Sequence, residues 1–246
     1  RGNRIPSLGE LADRSTPWHS GGVSSRFPTT RWTLIRQLKD NGERARALEF
    51  VVETYRDPLY HYARRSGLDD PAAEDALQQF MVVMLERDFI DRIRADRGHL
   101  RGFLKTAFRN FLANQFEKRR AAKRGGGVTA VSFDAADELV ASRDLSPDGA
   151  FDRAWAETIM NRAFQRLCDE TADPARVELL ERYFGSEEIE SYESLGKEFS
   201  LSAAAVKAFL HRARGRFHRH LEDIVADTSD DPGQEMDALR EILGAI

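Results

Sequence analysis

The sequence has 246 residues, 41% hydrophobic and 32% charged, which supplies apolar material for one large or two small cores and excludes wholesale disorder. Its single cysteine, Cys168, excludes an intrachain disulfide and a cysteine-based zinc site. With no signal-peptide pattern, lipid-anchor motif or membrane-length apolar run, a cytoplasmic location is expected. The net charge of −4 excludes a uniformly basic nucleic-acid binder, yet the charge is unevenly spread along the chain.

Residues 1–28 are rich in Ser, Gly, Arg and Pro without apolar periodicity and read as a mobile arm. From Thr29 to Arg124, turn signals separate helical patterns. Gly42 follows a short helix, Asp57-Pro58 opens another, Gly67 closes it, and Asp70-Pro71 starts the next, with Asp as cap and Pro at the first helical position. In that helix Ala73, Leu77, Phe80, Met81, Met84 and Leu85 fall on one side, and Asp75, Gln78, Gln79, Val82 and Glu86 make a stripe on the other.

The clearest period follows Gly98. Leu100, Phe103, Leu104, Ala107, Phe108, Phe111 and Leu112 recur at spacings of three and four, and Arg101, Lys105, Thr106, Arg109, Asn110 and Asn114 fall on the opposite half of the helix. From Arg101 to Arg124 eight basic residues, Arg119 and Arg120 among them, face one acid, Glu117. Such a run of like charge repels itself unless a polyanion meets it.

The glycines 125–127 and an acidic stretch with Pro147 and Gly149 read as an irregular linker, residues 125–150. A second helical unit follows over 151–222. Within it Tyr192, Leu195, Gly196 and Phe199 fit a short helix, Ser200 to Ser202 a turn, and Val206, Leu210, Ala213 and Phe217 a longer helix. Ser202 can cap that helix, whose outward positions are Ala203, Ala204, Lys207, Ala208, His211 and Arg212, with Arg214 beyond. Small residues there permit deep entry into a major groove, and basic ones reach phosphates or guanine edges. Taken alone, the pattern fits an ordinary helical hairpin with a solvated basic face equally well.

Residues 223–246 form an acidic extension in which Leu239, Ile242, Leu243 and Ile246 allow a short amphipathic helix. From Glu222 to Glu241 there are eight acids and one Arg. No catalytic or phosphate-loop signature is present. His211, His218 and His220 lie among arginines at spacings that do not converge on a metal, and no cofactor is called for. The fold expected is all-α: two small helical domains joined by an irregular linker, the second ending in a helix-turn-helix.

The ordered segments Ala73-Glu74-Asp75-Ala76-Leu77-Gln78, Phe103-Leu104 with Ala107-Phe108-Arg109-Asn110, and Tyr192-Glu193-Ser194-Leu195 to Val206 through Arg214 resemble the extracytoplasmic-function (ECF) sigma factors of bacterial RNA polymerase. The resemblance spans roughly Thr29 to Glu222. It implies a non-enzymatic sigma factor whose region 2-like domain (29–124) binds core polymerase and the −10 element, and whose region 4-like domain (151–222) binds the −35 element. By this resemblance Asp75, Gln78, Gln79, Val82 and Glu86 dock on polymerase. Asp96, Arg97 and His99 capture a flipped promoter base, Arg101, Lys105, Arg109, Arg119 and Arg120 follow the backbone, and Asn110 and Asn114 read bases. Ser202, Ala203, Ala204, Lys207, Ala208, His211, Arg212 and Arg214 belong to the −35 helix, and Leu179, Leu180, Tyr183 and Phe184 to domain core or a patch near the polymerase flap.

The family usually has an acid where this chain has Gln79. In one subgroup without those acids, a Ser/Thr kinase is thought to supply the charge. No Ser or Thr lies between Gly67 and Lys105, so such a phosphate falls to Ser66, Thr54 or the arm with Thr29 and Thr30. An anti-sigma regulator is the other regulatory partner to expect. The acidic segments Asp134–Glu157 and 223–246 lie outside the matched motifs and are expected to cover the basic faces before polymerase binds, as an intramolecular mimic of DNA charge. The competing functions are a helix-turn-helix regulator acting without polymerase and a helical signalling adaptor.

Overall fold

A computed structural model of the chain describes residues 44–86, 89, 99–124, 146–185, 190–229 and 231–244, with the side chains of 120–124 excepted. Eight helices are defined among them: α1 (Arg44–Arg65), α2 (Asp70–Leu85), α3 (Leu100–Arg124), α4 (Pro147–Asp169), α5 (Pro174–Gly185), α6 (Tyr192–Glu198), α7 (Ala203–Thr228) and α8 (Pro232–Gly244). No strand occurs among the described residues, so the fold is all-α. These residues fall into two compact units, one of 44–155 with 227–231 and one of 156–226 with 232–244.

In the first unit α1, α2 and α3 pack on one another. Their buried stripes are Val51, Tyr55, Leu59 and Tyr62 from α1, Ala73, Leu77, Phe80 and Met84 from α2, and Leu100, Leu104, Phe108 and Leu112 from α3. Each stripe repeats every three or four residues, the period that keeps one helical face turned inward. Phe80 is the hinge of an aromatic cluster, with ring centroids 4.9 Å from Phe108, 5.5 Å from Phe111 and 5.8 Å from Phe89. Tilted and edge-on rings at these distances add attraction beyond their buried area.

Helix ends follow local chemistry. After α1 the Leu68 N–H donates to the Ala63 carbonyl at 3.3 Å and the Gly67 N–H to Arg64 at 3.1 Å. Gly67 holds φ at 89°, a left-handed turn that glycine adopts without strain. Asp69, one residue earlier than expected, caps α2 by accepting from the Ala72 N–H at 3.0 Å.

Two proline readings change. Asp57-Pro58 does not open a helix: α1 runs through it with Pro58 buried inside. The missing N–H forgoes one bond to the carbonyl of residue 54, and burial of Pro58 and Leu59 in the core offsets the loss. Pro147 and Gly149, expected in the linker, lie in the first turn of α4, where Ser146 Oγ accepts the Gly149 N–H at 3.1 Å. Proline at the first helical position lacks only a donor that would have had no partner there. Phe151, Ala154 and Trp155 on the next turns are buried in the first unit.

The second unit buries Ile159, Met160, Ala163 and Leu167 of α4, Leu179, Leu180 and Phe184 of α5, Leu195 of α6, Val206, Leu210, Ala213 and Phe217 of α7, and Met236 and Leu239 of α8. Helix α7 continues past Glu222 to Thr228, because Ile224 and Val225 prolong its buried stripe. The amphipathic tail helix expected from Leu239 and Ile242 is α8.

Candidate nucleic-acid interface

Helix α3 places Thr106, Arg109, Asn110, Asn114 and Arg119 at exposed positions, opposite its buried stripe. Asp96 and Arg97, and the side chain of Arg120, lie outside the described residues. The first two turns depart from the expected open basic face. The side chains of Arg101 and Lys105 are only 12% and 20% exposed.

What covers them is the start of α4, in the same unit. Asp152 Oδ1 accepts from Arg101 at 2.6 Å, and Lys105 Nζ lies 2.9 Å from Oδ2 and 3.1 Å from Oδ1 of the same carboxylate. Asp148 stands 3.5 Å from Lys105. The Arg101 guanidinium sits 4.5 Å above the Trp155 ring and the Lys105 ammonium 5.6 Å from the Phe151 ring, positions where the aromatic quadrupole attracts a cation. Shielded charge pairs of this kind feel far less screening than surface ones. His99 does not stand open either: its Nδ1 lies 3.2 Å from Oγ of buried Ser229, which also accepts the Asp231 N–H at 3.1 Å.

The second basic surface is built on α6 and α7. Ser191 caps α6 through the Ser194 N–H, and Ser202 caps α7 through the Ala205 N–H, each at 3.1 Å. Between them Ser200 takes a positive φ of 54°, and the Leu201 N–H returns to the Gly196 carbonyl at 2.8 Å. A Cβ on Gly196 would stand 2.6 Å from the Leu201 carbonyl oxygen, so only glycine permits this crossing. The turn leaves Ser202, Ala204, Lys207, Ala208, His211 and Arg212 exposed, with Ala203 half-buried.

Arg214 is not part of that outward row. It donates to the Tyr183 hydroxyl and lies 5.4 Å from that ring, a contact within the unit. Leu179, Leu180 and Phe184 are core, and Tyr183 is half-buried. Further along α7 an open cleft of about 700 Å³ is lined by Arg176, Phe209, Arg212, Arg216 and Arg219, together with Glu170 and Asp173. Glu170 pairs with Arg216 at 3.3 Å and with His220 at 3.2 Å, while His218 lies 3.3 Å from Glu222. Among the described residues no His, Cys, Asp and Glu cluster could hold a metal ion.

On α2 the stripe Asp75, Gln78, Gln79, Val82 and Glu86 is exposed throughout. Leu85, expected inward, joins it: Val82 is 62% and Leu85 53% exposed, the two large apolar side chains most open to solvent among the described residues. The helix ends at Leu85, with Glu86 as its cap in extended backbone, so the helical period that placed Leu85 inward breaks off there. Gln79 donates to Asp75 at 2.8 Å and accepts from Gln115 of α3 at 2.9 Å, and so fixes the two helices to each other.

Asp148 and Asp152 belong to the acidic segment Asp134–Glu157 that the sequence sets against the basic faces, but which of its acids meet Arg101 and Lys105 was not legible there, and Trp155 and Ser229 escaped the sequence reading. The Ser146-Pro147-Asp148 helix start marks a cap, and the acid run marks negative charge, but neither says which residues the helix covers. Among the described residues no helix is long and apolar enough to cross a membrane. A family model described as ECF sigma factor matches residues 29–223. No curated protein and no solved structure matches the chain.

Proposed function

Because the chain belongs to the ECF sigma factor family, a family of non-enzymatic factors that direct transcription initiation, we propose that it binds core RNA polymerase and selects promoters by reading two DNA elements. The observation that carries this is the outward face of α7: Ala204 and Ala208 leave room for a groove wall, and Lys207, His211 and Arg212 stand exposed beside them. In this reading α6 and α7 form a helix-turn-helix at the −35 element, within a region 4-like domain of residues 151–222. Lys207 and Arg212 contact phosphates or guanine edges.

The region 2-like domain, residues 29–124, serves the −10 element. Arg109 and Arg119 follow the backbone, and Asn110 and Asn114 offer the paired donor and acceptor that match adenine. Polymerase docks on the α2 stripe, where Val82 and Leu85 provide an apolar centre and Gln78, Gln79 and Glu86 a polar rim. With Gln79 neutral, docking relies on those apolar contacts more than on charge attraction.

The test is in vitro transcription with core polymerase on a randomised promoter library. Selective initiation from templates sharing two spaced elements is expected. A protein that bound duplex DNA tightly alone and gave no transcripts with core polymerase would instead be a regulator acting without polymerase.

A further inference from the structure

We infer that Asp152 is a built-in phosphate mimic: in the free chain it occupies the anion position between Arg101 and Lys105 and withholds the start of α3 from DNA. The inference rests on the reading of α3 as a DNA-binding helix and adds how that helix is regulated. One carboxylate receives both cations at 2.6 and 2.9 Å, the arrangement two basic side chains adopt around a phosphate oxygen pair. The carboxylate is presented by a helix anchored through Phe151 and Trp155, both fully buried, so it does not swing freely away.

Further contacts strengthen the cover. Asp148 adds a second negative charge 3.5 Å from Lys105, the Trp155 ring lies against Arg101, and the Phe151 ring lies against Lys105. Ser229 meets His99, one residue before α3 begins, so the approach to the helix start is occupied by a second segment of the chain. The exposed cations Arg109 and Arg119, further along α3, stay available. DNA must displace Asp152 to use the whole helix.

The test uses the full-length chain with and without Asp152→Asn, fluorescein-labelled single-stranded DNA of random sequence as probe, and amine acetylation of Lys105 against exposed Lys118 as an internal standard. Asp152→Asn is expected to tighten DNA binding by the free chain about ten-fold and to raise the Lys105 acetylation rate toward that of Lys118. Asp148→Asn, at a half-exposed site in the first turn of α4, should move both readouts in the same direction by about two-fold. Circular dichroism checks that each variant stays helical. Unchanged DNA affinity in both variants, or wild-type Lys105 acetylated as fast as Lys118, overturns the mimic. Transcription by the Arg101→Ala/Lys105→Ala variant separates the two levels. If it falls while Asp152→Asn changes nothing, the mimic alone is wrong. If it is undiminished, the reading of α3 fails and the mimic with it.

Discussion

In α3 the side chains of Arg101 and Lys105 are 12% and 20% exposed and share one carboxylate, whereas in α7 Lys207, His211 and Arg212 are exposed and no ion pair holds them among the described residues. Both helices carry a basic face opposite an apolar stripe, and both lie in acid-flanked sequence. The difference is a helix start 47 to 51 residues away from α3, which brings Asp152 and two aromatic rings onto its cations. A count of basic residues measures how much positive charge a helix owns. Its neighbours in space decide how much of that charge a partner meets.

The contrast breaks most severely if the anchor of the cover is removed. Trp155→Ala deletes a fully buried ring and should destabilise the protein by about 3–5 kcal/mol in urea unfolding, with faster Lys105 acetylation. A loss below ~1 kcal/mol would mean that the start of α4 is not held by its core. On the other side, Gly196→Ala forces a Cβ against the Leu201 backbone and should cost about 1–3 kcal/mol in thermal unfolding, with weaker promoter binding as the α6–α7 crossing opens.

Milder changes sharpen the contrast without breaking it. Lys207→Ala should lower the slope of log affinity against log salt by about one for the free chain, while Lys105→Ala leaves that slope nearly unchanged because its charge is already met. Equal slope changes would place both cations in solvent. Ser202→Ala removes the cap of α7 and should lower stability by about 1 kcal/mol in the same unfolding measurement.

The smallest effect concerns Cys168, near the far end of α4. Burial first, then the carboxylates of Glu181 and Asp169, push its thiol up to about 11 from its ordinary value of 9.0. The folded chain therefore keeps this proton longer than the unfolded one. The resulting stabilisation is complete below pH 9 and is lost as pH rises through about 11, which unfolding of Cys168→Ala against wild type between pH 8 and 11 would show. At pH 8 the thiol should react slowly with iodoacetamide, and Asp152→Asn should leave that rate unchanged if release of the cover is local.

Much of the fold was legible where periodicity was strict. The stripe Leu100, Leu104, Phe108 and Leu112 is buried as its spacing demands, and Ser202 caps α7 through the chemistry its position announced. The prolines were less legible, because a proline reports what the backbone cannot do locally and not what the core will tolerate. Pro58 sits inside a helix because its burial compensates, and Pro147 opens α4 although its surroundings look like linker. Leu85 reads as core by period but lies at the helix end and is 53% exposed among the described residues.

The sequence by itself determined an all-α fold class, two basic helical faces and an ordered set of motifs that mark the ECF sigma factor family, because helical period, caps and glycine turns act over a few residues. Only the tertiary structure decided that Asp152 lies against Arg101 and Lys105 while the face of α7 stays open. Ion pairing depends on distance in space, and no local pattern sets how far a carboxylate 47 residues along the chain lies from a lysine.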